Sequence, residues 1–118
     1  MAVDQSGERP AFYALAPGGW RDYATLLHLP YTAWHLSYVA IGAALSGTLD
    51  GGRLLATLAA FTLAVGVAAH CLDELHGRPL GTRVPSRVLV ALSVIALTGA
   101  VIIGLIGARV VGLDLVPW

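Results

Sequence analysis

Hydrophobic and polar positions along this chain fall into long blocks, without the short alternation of a strand. Three apolar runs, Pro30 to Leu49, Leu54 to Leu72 and Val88 to Ala108, are separated by polar, glycine- and proline-bearing segments. Each is near the roughly 20 residues that a helix needs to cross a bilayer. The pattern predicts an all-α membrane protein with three transmembrane helices. Pro30 suits the first turn of the first helix, where its missing N–H costs nothing. Gly47 to Gly52 reads as a tight turn, so the first two helices form an antiparallel hairpin. Gly77 to Arg87, with Pro79, Gly81 and Pro85, reads as a longer loop. Ahead of the runs, Trp20, Tyr23, Ala24 and Leu27 share one helical face, with Arg21 and Asp22 off it. Trp and Tyr favour the headgroup level, which predicts a short interfacial helix over residues 20–28; an ordinary juxtamembrane turn is the competing reading. Met1 to Gly19 reads as a flexible cytosolic tail broken by Pro10, Pro17 and Gly18-Gly19, with no secretory signal peptide. Residues 29–118 are then the three-helix domain.

Composition supports the membrane class. Of 118 residues, 57% are hydrophobic and 12% charged, against about 45–50% and about 25% in soluble domains. The formal net charge is zero, so nothing points to a nucleic-acid partner. All seven basic residues are arginine. Arg9, Arg21, Arg78, Arg83 and Arg87 fall on one side of the predicted topology, and Arg53 and Arg109 on the other. The positive-inside rule puts the N-terminus and the Gly77–Arg87 loop in the cytosol and the C-terminus outside, as in a prokaryotic-type cell membrane. Cys71 is the sole cysteine, which excludes an internal disulfide; apolar flanks make it an inert thiol.

Small residues recur at helical spacing. Ala56, Ala60, Ala64 and Ala68 form a stripe on the second helix, with Gly42 and Ser46 on the first and Gly104 on the third. Such residues let helices approach closely in lipid. Three helices still make a small core, which implies self-association or a partner chain supplying further helices.

The chemistry-bearing residues gather at one end. The segment His70-Cys71-Leu72-Asp73-Glu74-Leu75-His76-Gly77-Arg78-Pro79 closes the second apolar run, and ionisable groups at a bilayer edge are costly enough to suggest a task. His70, Asp73 and Glu74, spaced i, i+3 and i+4, share a helical face. His35 is expected at similar depth, with His28 and His76 just outside. The plainer readings are that His35 bonds a neighbouring carbonyl, His70 caps a helix end, the acids pair with arginines in solvent, and His76 faces solvent. The sharper reading is an anionic ligand held through a divalent cation. Asp73 and Glu74 supply hard oxygens, with His70 beside them, and Mg²⁺ is commonly held by one or two carboxylates plus substrate phosphates. Arg78 and Arg83 would neutralise the remaining phosphate charge.

Leu26 to Trp34, followed by Gly42-Ala43-Ala44-Leu45, resembles the opening helix of UbiA-type intramembrane prenyltransferases. His70 through Leu80 is similar in position to that family's first aspartate-rich motif and the basic loop after it. The resemblance runs from Trp20 to Ala108 and corresponds to the N-terminal third of a fold of about nine membrane helices. It implies a prenyl diphosphate substrate bound through Mg²⁺ at the cytosolic side and a lipophilic acceptor. With the asparagine of the family's N-D-x-x-D-x-x-x-D motif placed at His70, its acidic positions fall on Cys71, Glu74 and Arg78. Glu74 alone keeps a carboxylate there, and Asp73 is an extra acid. The family's second aspartate-rich motif would lie beyond this length, so the resemblance implies a partial or divergent prenyltransferase rather than a complete enzyme. Tyr31, Trp34 and Tyr38 on the first helix would form an aromatic wall for the substrate tail and the allylic cation; interface anchoring is their other reading. His35 would line the same site.

Two other classes remain open. His35 and His70, on different helices at one depth, would suit axial ligation of a haem b in a three-helix membrane anchor. A non-catalytic accessory membrane subunit accounts for the short length and the alanine stripe.

Overall fold

The computed structural model describes residues 13–111. They form four helices: α1 (Trp20–Leu26), α2 (Leu29–Leu45), α3 (Gly51–Leu75) and α4 (Ser86–Val111). The all-α expectation is met. α3 and α4 are each long and apolar enough to cross a membrane. α2 is 17 residues long, about 26 Å at 1.5 Å per residue. It ends at Leu45, before the Leu49 limit of the first apolar run, because Ser46 to Asp50 turn the chain back. Asp50 caps the next helix, accepting the Arg53 N–H at 3.0 Å. That capping bond is the main reason its carboxyl titrates below the usual range.

α3 is not uniform. Thr62–Ala69 is wound as a π-helix between two α-helical stretches. This wider winding brackets the position where α2 comes closest: a Cβ on Gly66 would lie 3.0 Å from Thr32 Cγ2. Thr32 is itself buried and donates its hydroxyl to Leu27 O at 2.6 Å. α3 is the central element, with α2 and α4 both packed on it; α2 and α4 hardly meet.

The small-residue expectation divides. Ala68 is fully buried, while Ala56, Ala60 and Ala64 are half-buried. Gly42 and Gly104 do not make close approaches, since a Cβ on either would meet nothing within 4 Å. Gly66 and Gly99 fill that role instead; a Cβ on Gly99 would lie 3.1 Å from Leu63 Cδ1. Ser46 is exposed beyond α2 and bonds Ala43 O.

The densest packing lies at one end of the helices. Leu26, Cys71, Val84 and Leu89 form a buried cluster, with Val67, Leu75, Val88 and Leu92 against it. By contrast, α2 and α4 expose large apolar side chains along their length, among them Ile41, Leu45, Ile95, Val101 and Ile106.

The Gly66 contact yields a stability test. Gly66→Leu should lower the midpoint of thermal unfolding in detergent through overpacking of about 1–3 kcal/mol. Gly104→Leu should leave it nearly unchanged. Equal effects would refute the packing of α2 on the π-wound stretch.

Candidate functional site

The site is built by a loop that two buried carboxylates hold in place. Glu74, in the last turn of α3, is completely buried. Its Oε1 accepts the Thr82 N–H at 2.8 Å and the Thr82 hydroxyl at 2.7 Å. Its Oε2 accepts the Leu80 N–H at 3.0 Å. Asp22 of α1, also buried, accepts Gly18 N–H at 3.0 Å and Arg83 N–H at 3.1 Å. The loop between α3 and α4 is thereby tied to both α3 and α1.

Trp20 and Tyr23 of α1 point outward. Asp22, off that aromatic face as its spacing predicts, points inward with Thr25 and Leu26. α1 meets the protein through a carboxylate, a hydroxyl and one leucine. Residues 13–19, assigned by sequence to the tail, are held to α1 by Gly18 N–H on Asp22 and by Leu15 N–H on Thr25 Oγ1 at 2.9 Å. The remainder of that tail, residues 1–12, lies outside the described residues.

Arg78 also serves the loop. It adopts a left-handed backbone conformation, φ +56°. Its guanidinium donates to Val84 O and, at 2.9 Å, to Ser86 Oγ. The expected phosphate ligand therefore spends two of its five N–H donors on the start of α4. Arg83 contributes its backbone N–H to Asp22, while its side chain is exposed.

Beside this loop lies a cleft of about 510 Å³, lined by Tyr13, His28, His70, Asp73, Glu74, His76, Pro79 and Leu80. His70, Asp73 and Glu74 meet there as the helical spacing predicts. His76 is exposed, as its plainer reading holds, and lines the same cleft. Tyr31, His35, Tyr38, Arg78 and Arg83 are not among the lining residues. His35 is exposed and its Nδ1 bonds Tyr31 O at 2.7 Å, the plainer of its two readings. Tyr38 lies farther along α2, where its hydroxyl accepts the Trp34 indole N–H.

His28, which the sequence places at this end without a role in the site, and Tyr13, which it does not place there, both line the cleft. His28 sits at the N-cap of α2 in a left-handed conformation, φ 49°. Its ring stacks on Tyr13 at 4.1 Å, meets Tyr31 edge-on at 4.3 Å and lies 4.7 Å from the His70 ring. Its Nε2 is buried with no hydrogen-bond partner. The usable signal was His28-Leu29-Pro30: a polar residue just ahead of a proline-started helix is a cap position, fixed in the fold. Burial holds the His28 imidazole below its ordinary pKa, and the neighbouring His70 adds to this, against a smaller opposing pull from Asp73. Burial also pushes the Tyr13 hydroxyl up, with Tyr31 and Glu74 acting in the same sense.

The donors open to a ligand thus differ from the expected set. Both Glu74 oxygens are engaged, which leaves Asp73 as the cleft's remaining carboxylate. Among the described residues, no three His, Cys, Asp or Glu side chains form a ready-made metal cage. Magnesium, which favours oxygen, finds one uncommitted acid here. Among the described residues, the histidine pair in ring contact is His28 with His70.

Comparison with protein-family models, with curated proteins and with solved structures found no match.

Two tests follow from this geometry. Glu74→Ala strands three loop donors, the two on Thr82 buried, and should destabilise the protein by on the order of 3 kcal/mol, read as a lower unfolding midpoint and faster proteolysis between Gly77 and Arg87. An unchanged cleavage rate would refute the anchoring role. For His28, the fold favours the neutral ring. Its contribution is therefore complete above the unfolded-state pKa of about 6.5 and is lost as pH falls below it toward the lower folded value. The unfolding midpoint should drop from pH 7 toward pH 5, less steeply in His28→Asn, which tolerates the left-handed backbone. Parallel curves would refute this.

Proposed function

We propose that this chain is a membrane-embedded binding unit for an amphiphile with an anionic head, of the prenyl diphosphate class. In this reading it is a partial or divergent UbiA-like prenyltransferase. The observation that carries the reading is the position of the cleft: a pocket bearing Asp73 and three histidines at the end of the long apolar helix α3. A head in the pocket leaves its tail alongside the helices in the hydrocarbon layer. A volume of about 510 Å³ falls within the roughly 300–1,000 Å³ of small-molecule sites.

The membrane setting rests on α3 and α4, with α2 as a third, shorter span lengthened by its flanking turns. The outward apolar side chains of α2 and α4 suit lipid contact, and outward Trp20 and Tyr23 suit α1 at the headgroup level. The arginine distribution sets the cleft on the cytosolic side. In this frame, Asp73 is the carboxylate that meets the cation on the diphosphate, with Mg²⁺ the ion the family resemblance implies. Exposed Arg83 lies on the adjoining loop to meet the remaining phosphate charge, and Tyr31, Trp34 and Tyr38 run along α2 where a prenyl tail would lie. Glu74 and Arg78 act as positioning residues, through the loop. A partner chain or a second copy would supply the helices and the second acidic motif that prenyl transfer requires.

The full chain in detergent tests this. Geranylgeranyl diphosphate with a divalent cation should raise the unfolding midpoint, consistent with about 2.7 kcal/mol at a hundredfold excess over Kd. Geranylgeraniol or inorganic diphosphate alone should give a much smaller shift, and Asp73→Asn should reduce the effect. No response to the prenyl diphosphate, or equal responses to all three, would reject the proposal.

A further inference from the structure

We infer that His28 and His70 form a two-imidazole site for a borderline transition ion of the Zn²⁺ class, and that this ion, rather than Mg²⁺, is the cleft's cation. The ion's role as a bridge to an anionic head rests on the function proposed above; its binding does not.

The first support is the protonation pattern of His70. Its Nδ1 lies 3.0 Å from Gly66 O. A carbonyl only accepts, so Nδ1 carries the proton, and the neutral ring presents Nε2 as a lone pair. Metal-binding histidines are held this way, with the second nitrogen donating to a backbone carbonyl. The carbonyl comes from the π-wound stretch of α3, so backbone geometry fixes the ring's tautomer.

The second support is His28. Its Nε2 is buried without a partner, a cost that a buried polar atom normally avoids. Coordination of an ion removes that cost. Tyr13 and Tyr31 hold the ring from two sides, so little side-chain freedom is left to lose.

The third support is spacing. Two imidazoles sharing an ion at about 2.0–2.1 Å, near the tetrahedral angle, place their ring centres roughly 5 Å apart. The His28 and His70 centres are 4.7 Å apart. Asp73 and His76 line the same cleft and are exposed, free to turn toward the ion. Two fixed nitrogens with open positions leave room for oxygens from water or an anionic ligand. Imidazole nitrogens select zinc, copper or nickel, whereas magnesium selects oxygen.

The test uses the full chain, free of any histidine tag, in detergent near neutral pH. Zn²⁺ titrated against a chromophoric chelator should bind at one equivalent. His28→Asn and His70→Asn should each weaken binding about tenfold or more, a loss of the size seen when metal sites are disturbed. His35→Asn should leave binding unchanged, and Mg²⁺ should not compete. Because either variant can disturb the fold, Cu²⁺ on the wild-type chain gives an independent reading: its electron paramagnetic resonance spectrum should show two coordinated imidazole nitrogens. One nitrogen or none, or zinc binding unaffected by both variants, overturns the site. Prenyl diphosphate binding that needs Mg²⁺ and persists after zinc is chelated overturns the ion's role as the cleft's cation and leaves the proposed function standing. Zinc binding with two nitrogens and no response to the diphosphate upholds the site and rejects the proposed function.

Discussion

The Glu74 carboxylate is the constraint on which this end of the molecule depends. It is fully buried, and among the described residues it meets no arginine in a salt bridge; three hydrogen bonds from Leu80 and Thr82 surround it instead. Hydrogen bonds to a charged group are each stronger than neutral ones, and stranding a buried charge is costly. The loop is therefore tied to the end of α3 through three hydrogen bonds to one carboxylate. Asp22 repeats the device from the other side, bringing α1 onto the same loop. Arg78 closes the arrangement by tying the loop to the start of α4.

This explains an inversion in how the protein is packed. The helices leave much apolar surface outward, and their dense core lies beside the polar end, around Leu26, Cys71, Val84 and Leu89. In the membrane setting proposed above, burying apolar side chains between helices would gain little, because lipid tails are equally apolar. Specific geometry then has to come from close backbone approach, as at Gly66 and Gly99, and from polar anchors. The polar loop with its two carboxylates supplies those anchors and, as a by-product, leaves a cleft beside them.

The same economy divides the labour among the candidate residues. Two of the most chemically suggestive side chains, Glu74 and Arg78, are spent on architecture. The groups left facing the cleft are Asp73, His76 and the ring cluster of Tyr13, His28 and His70. A motif read only by residue type assigns the chemistry to the acids and the arginine; the fold leaves the imidazoles and a single aspartate facing the cleft. The family resemblance and the donor set thus favour different ions for the same pocket, a difference that metal binding can decide.

By itself, the sequence determined the helical class, the three apolar runs, the existence of a turn near Gly47 (Ser46 to Asp50 in the structure, Gly47 to Gly52 by sequence), the position of the long loop and the end where the ionisable residues gather. These follow from block hydrophobicity and from glycine and proline placement, which act locally. The alignment of His70, Asp73 and Glu74 was also legible, since i, i+3 and i+4 spacing is a property of one helix. Only the tertiary structure decided which of those groups the fold consumes. Whether Glu74 is a ligand or an anchor depends on the N–H groups of residues 80 and 82, and whether Asp22 is solvated depends on residue 83, 61 positions away in the chain. His28 joined the site for the same reason. Its partners Tyr13 and His70 belong to segments that periodicity treats separately, and a ring contact between segments leaves no mark in the spacing of either.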